Sequence, residues 1–256
     1  MTTANRPKRR FPHFGVMLFA TVLLLVGVGA LTVWLPYHRE QLAIAEIEKV
    51  GGQVATRFDA PGWLQWFNDD DMKLFNRVDL VSLTDAEVDD GFLIHLAELR
   101  SAQSVWLNSK QATDAGLAHV VGLTDLRELG ISPARNSGIT VDSTIAWRYQ
   151  HTPRLTNTGL TDDGLEHLAG LSSLTALWLP PTQISDAGLS HLSGLPNLRK
   201  LHVDSMQITD AGLEHLAGLT NLEWLSLNDT RVTKTGVAKL QTKLPRCKIQ
   251  VTPNLR

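Results

Sequence analysis

The stretch "ITDAGLEHLAGLTNLEWLSLNDTR", Ile208–Arg231, decides how the rest of the chain is read. Twenty-four residues upstream, Ile184 opens "ISDAGLSHLSGLPNLRKLHVDSMQ", and Leu160 opens "LTDDGLEHLAGLSSLTALWLPPTQ" before that. Less regular copies begin at Val88 and Ala112, and a partial one at Val232. In the block that starts at Ile208, apolar residues fall at Ile208, Leu213, Leu216, Leu219, Leu222, Leu225 and Leu227. Spacing by three suits a short helix running into a bend, and the closing spacing by two suits a short strand. No single block can bury all of these side chains within itself, so neighbouring blocks must stack.

Segments such as "LTNLEWLSLNDTRV" and "LSSLTALWLPPTQI" resemble leucine-rich repeats. The pattern is similar to the cysteine-containing subclass, with Thr182, Ser205 and Thr230 near the place of its second cysteine. The resemblance covers residues 78–251. It implies an α/β solenoid with a concave parallel sheet and convex short helices. It also implies a surface for protein binding rather than catalysis, with no cofactor.

The two ends of the array differ from its middle, as terminal repeats of a solenoid do. Residues 72–83, "MKLFNRVDLVSL", keep half of the pattern through Phe75, Val78, Val81 and Leu83. Before them, "EQLAIAEIEKV" reads as a short helix stopped at Gly51-Gly52, with a cap for the first repeat after it. Residues 38–77 thus form a juxtamembrane helix and N-terminal cap, and 252–256 a tail. The lone Cys247 excludes an internal disulfide and reads as a small apolar residue in the C-terminal cap.

The pattern lapses at 132–159, "PARNSGITVDSTIAWRYQHTPRLTNTG" forming most of it. This reads as an insertion on the rim, either functional or a tolerated surface loop. Arg148, Tyr149, His151 and Arg154 would surround an anion there, which makes a small-ligand or enzymatic site on the insertion the alternative function. No nucleophile–base set, metal motif or phosphate loop accompanies them.

Charge is unevenly placed. Residues 1–40 carry +4, so the remainder of a chain of net charge −2 carries −6. That acidic body lacks the clustered basic face a nucleic-acid partner needs. The basic residues of the tail, 1–13, precede an apolar run at 14–37. As a helix, the 22 residues from Phe14 to Leu35 would span roughly 33 Å, enough for one crossing of the bilayer. Positive charge before the span places the N-terminus in the cytoplasm and the repeats outside the membrane. A cleaved signal peptide is the competing reading.

His95, His119, His167, His191 and His215 share one repeat position. It lies on the helices, whose axes pack about 8–10 Å apart, too far for neighbouring imidazoles to share a metal ion. The row reads as scaffolding. Thr209 and Asp210 read as a helix cap, Gly212 as a point of close backbone approach, and Gly218 as a helix stop. Paired acids such as Asp162-Asp163 occupy the capping place, and Asp69-Asp70-Asp71 read as a solvated loop.

Strand residues that alternate with the buried leucines face out of the concave sheet. Among them are Glu128, Trp106, Trp178, Trp224, Lys200, His202 and Asp204. Tryptophan combines a large apolar area with a polar handle, which suits binding. These seven residues are the expected ligand-binding set, the tryptophans as anchors and the charged groups as orientation. The ligand class is a protein or peptide, with a glycan as the other option.

Overall fold

The structure, a computed structural model, describes residues 32, 34–59, 76–84, 86, 88–108, 113–132, 159–179 and 182–252. Most of the apolar run at 14–37 falls outside this set, as do Phe75, Asp69-Asp70-Asp71 and nearly all of the insertion. No helix among the described residues is long and apolar enough to cross a membrane. The chain divides into two compact units, Met1–Leu42 and Ala43–Arg256.

Helix α1 covers residues 34–49. In the first unit Trp34 stacks on His38, one turn on, at 5.0 Å between ring centroids. In the second, Ala43 and Ile47 enter the core. The helix stops at Gly51, whose φ of 86° is the left-handed conformation that glycine adopts without a steric penalty. The amides of Gly51 and Gly52 then donate to the carbonyls of Glu48 and Ile47, which lie on the last turn.

Among the described residues eight strands follow in one sheet, each beside its sequence neighbour: β1 (Gln53–Phe58), β2 (Asn76–Ser82), β3 (Ser104–Asn108), β4 (Glu128–Ser132), β5 (Ala176–Leu179), β6 (Lys200–Asp204), β7 (Trp224–Asn228) and β8 (Lys248–Thr252). β1 runs antiparallel to β2, and all other pairs are parallel. The β1–β2 register slips so that Asp79 has no partner between Val78 and Leu80. That bulge resets the alternation and lets Val78 and Val81, three residues apart, both reach the core.

Between the strands lie a 3-10 turn (Phe92–Glu98) and helices α2 (Asp114–Ala118), α3 (Asp162–Glu166), α4 (Asp186–His191), α5 (Asp210–Leu216) and α6 (Lys234–Lys243). The first repeat therefore uses a tighter helix than the others. The repeat leucines form one continuous core, with Leu189, Leu216 and Leu225 among many that are wholly inaccessible. Each fully buried side chain of this kind contributes about 1.5–3 kcal/mol. The α/β repeat architecture expected from the apolar pattern is present.

β4 and β5 are direct neighbours, Glu128 in register with Ala176, although 48 residues separate Arg127 from its hydrogen-bond partner Thr175. The repeats on either side of the insertion therefore stack as though it were absent.

A ladder of aspartates ties the helices together. Asp186 accepts from the backbone N–H of Thr209 at 2.7 Å and from its hydroxyl at 2.6 Å. Asp114 does the same for Thr161, Asp162 for Ser185, and Asp210 for Thr233. Each of these hydroxyls also caps its own helix: Thr209 Oγ1 accepts from Ala211 N–H at 3.2 Å. The aspartate is thus more than a favourable charge at a helix start; it clamps the next repeat.

The recurring glycine is corrected in the same way. A Cβ on Gly164, Gly188, Gly212 or Gly236 would collide with the carboxylate of the preceding repeat's aspartate. At Gly188, Gly212 and Gly236 the room is for a side chain, not for neighbouring backbone, whereas at Gly164 the Asp114 Cα is also close, 3.2 Å from the added Cβ. Gly218, read as a helix stop, follows the C-cap Ala217 of α5 without a positive φ. The helix instead runs into a turn in which Leu219 N–H donates to Leu216.

The ends of the array break the ladder. In the first repeat Phe92 stands where the others have glycine, and in the last Lys234 stands where they have aspartate. Gly236 is kept, because Asp210 still reaches it.

Candidate functional site

Two rows of side chains cross the sheet from strand to strand, on the face away from the leucine core. One contains Leu80, Ser104, Glu128, Ala176, Lys200, Trp224 and Lys248. The other contains Ser82, Trp106, Gly130, Trp178, His202, Ser226 and Gln250. Neighbouring strands lie about 4.8 Å apart, so adjacent members of a row touch if their side chains are long enough.

The three tryptophans are not equivalent. Trp106 and Trp178 lie on β3 and β5 with Gly130 of β4 between them, and their rings stack at 5.2 Å and 27°. A Cβ at Gly130 would run into the Trp106 ring, so the glycine is the floor on which that ring lies. With Leu80 and Ala176 the pair makes a small apolar cluster separate from the main core. Trp106 is 9% exposed and Trp178 7%, so neither presents a free ring. They face out of the sheet, yet cover one another instead of standing open as anchors. Two tryptophans at one repeat position two strands apart, with a glycine at that position on the strand between, are the mark this arrangement leaves in the sequence.

Trp224 is different. It is half-buried, and its neighbours in the row are Lys200 on β6 and Lys248 on β8, both exposed. The His202 ring stacks against it at 6.2 Å and 13°. His202 Nε2 lies 3.1 Å from Asp204 Oδ2, and Asp204 Oδ1 accepts from the backbone N–H of Asn228. Glu128 lies on β4, between the two strands that carry the tryptophan pair, half-buried and accepting from Ser104 at 3.3 Å. The structure thus gathers Lys200, His202, Asp204 and Trp224 at one place and leaves Glu128 apart. Lys248, which the sequence reading did not select, belongs with them. It lies in the last strand, where the leucine pattern no longer marks which residues face outward.

Ser226 lies in register with His202, which puts a serine, a histidine and an aspartate side by side. They do not form a nucleophile and its base. Ser226 is wholly buried, its Oγ accepts from Asn228 Nδ2 at 3.2 Å, and no hydrogen bond joins it to His202. A nucleophile must be reachable by substrate and oriented by its base.

On the opposite, helical side, the repeated histidines lie at or near helix ends. His119 and His167 are C-cap residues, and no group of three metal-ligating side chains occurs among the described residues. A depression between α5 and α6, lined in part by Leu213, Glu214, Ala217, Lys239 and Lys243, brings no buried charged group together. Cys247 is buried in the C-terminal cap, and desolvation pushes its thiol up to about 11.

No protein-family model matches the chain, and no curated protein matches it in sequence. Solved structures do align with it. Internalin C2 of Listeria monocytogenes is 21% identical with a TM-score of 0.45, over 74% of this chain and 78% of its own. A leucine-rich-repeat protein of Leptospira interrogans is 17% identical with a TM-score of 0.36, over 61% of this chain and 33% of its own. Another Listeria monocytogenes internalin is 23% identical with a TM-score of 0.34, over 63% of this chain and 51% of its own. The chain matches about a third and a half of the length of the latter two. Its own 24-residue units, each a short helix followed by a strand of one largely parallel sheet, make the fold leucine-rich-repeat-like.

Proposed function

We propose that the protein is a recognition module that binds another protein through the C-terminal half of its concave sheet. The observation that carries this reading is the contrast between the tryptophans. Trp106 and Trp178 are consumed by packing, whereas Trp224 stands part-open among side chains that the fold holds in fixed register. Rigid placement of a few polar groups around an aromatic lowers the entropy lost on binding. The ladder of aspartates supplies that rigidity from the opposite side of the solenoid.

The module is anchored to a membrane by the apolar run at 14–37 and displayed outside the cytoplasm. This part of the reading rests on the length of the run and on the basic residues before it.

Photo-crosslinking of the full chain in cells tests the binding face. A crosslinker at position 250 should capture a discrete partner, and one at Ile94, exposed in the first repeat's helical turn, should not. Equal capture from both sides would refute the assignment. A reporter fused after Arg256 tests the display: activity confined to the cytoplasm would sink it.

A further inference from the structure

We infer that the partner segment seated on this surface is an extended acidic peptide, with two carboxylates received by Lys200 and Lys248 on either side of Trp224. This deepens the proposed recognition role and rests on it.

Lys200, Trp224 and Lys248 occupy the same register position on three consecutive strands. Both lysines are exposed, and neither pairs with a carboxylate among the described residues. The nearby carboxylates have other partners: Asp204 lies 3.1 Å from His202, Glu223 pairs with Arg199 at 3.1 Å, and Glu128, two strands from Lys200 in the same row, accepts from Ser104 at 3.3 Å. The patch is therefore locally cationic, although residues 41–256 carry −6 overall. That net charge repels a long polyanion, whose many charges would meet the acidic body beyond the patch. A short segment with two or three carboxylates meets only the lysines.

Spacing points the same way. Two strand separations put the Lys200 and Lys248 backbones about 10 Å apart. In a peptide crossing the strands in the extended polyproline II conformation, residues three apart share one face and lie about 9 Å apart, and flexible lysine stems also accommodate pairs two apart. Of the two residues between carboxylates three apart, one leans over Trp224. His202 already stacks on this ring, leaving less aromatic face free than a sugar platform requires. An aliphatic side chain or proline needs only the uncovered part. These features favour a peptide over an anionic glycan.

The test uses the detergent-solubilised full chain, immobilised and panned against a displayed library of random heptapeptides. Enriched peptides should carry Asp or Glu pairs two or three residues apart. Synthetic copies should bind about threefold more weakly to Lys200→Gln or Lys248→Gln, at least tenfold more weakly to the double variant, and more weakly as salt rises. Unchanged circular dichroism would show these surface variants folded. Peptides that lose binding in Trp224→Ala yet lack acidic pairs, or that bind the double variant unchanged, would overturn the inference and leave the concave-face role standing. A sulfated disaccharide that binds more tightly than any enriched peptide would overturn the choice of a peptide. If no peptide is enriched, or none depends on Trp224 or either lysine, the inference and the concave-face role both fall.

Discussion

Gly212→Ala should destabilise this protein, although the same change in an ordinary helix stabilises it. Gly212 lies in α5 with no positive φ, so alanine would gain about 1 kcal/mol from helix propensity alone. Its Cβ, however, would displace the Asp186 carboxylate, which accepts from Thr209 at 2.7 and 2.6 Å. Hydrogen bonds to a charged acceptor are worth about 1.5–3 kcal/mol each when buried. Asp186 is only half-buried, and about 1 kcal/mol each is the appropriate discount, or about 2 kcal/mol for the pair. Crowding adds about 1 kcal/mol more, from the low end of overpacking costs. The net expectation is a loss of about 2 kcal/mol. The decisive comparison is the same substitution in an Asp186→Ala background, where the obstructing carboxylate is gone. There, Gly212→Ala should be neutral or stabilising by up to about 1 kcal/mol, a coupling of about 2–3 kcal/mol between the sites. Gly218→Ala serves as control, since nothing lies within 4 Å of its added Cβ. Urea midpoints followed by far-UV circular dichroism, at constant slope, measure all four variants. An equal shift from Gly212→Ala in both backgrounds, or stabilisation in the wild type, would refute the ladder as the reason for the glycine.

Trp106→Ala should cost about 3–5 kcal/mol and abolish the near-ultraviolet signal of the Trp106–Trp178 stack, while Trp224→Ala costs under about 1 kcal/mol; similar losses would erase the distinction between packing and binding tryptophans. The Asp210 carboxyl is held below its ordinary range, first by the hydroxyl and then by the backbone N–H of Thr233. A lowered folded value means that this stabilisation is complete above the unfolded pKa and disappears as pH falls through the folded one. Thr233→Val should raise the Asp210 titration midpoint in an NMR pH series, and no change would show that the bond is not formed. With its thiol raised to about 11, Cys247 should react with a maleimide at pH 8 far more slowly in the folded protein than in urea, at least tenfold; equal rates would mean that the C-terminal cap is open.

Repetition at a fixed period made the architecture legible before any coordinate was known. Ile208, Leu213, Leu216, Leu219, Leu222, Leu225 and Leu227 recur because every unit must bury its apolar side against the next, and that demand leaves its mark in each copy. The same alternation indicated which strand residues turn away from the core. It could not reveal what those residues do to each other. Whether Trp106 stands open or lies down depends on Gly130, 24 residues away in sequence and one strand away in space. Asp210 read as a helix-capping charge because its own helix is all that local sequence displays; its partner Thr233 belongs to the next repeat. Lys248 joined Lys200 and Trp224 only once the register of the last strand was known. Burial of leucine is a property of each residue and is written locally, whereas contacts across strands depend on the stacking of separate repeats, which the tertiary structure alone decides.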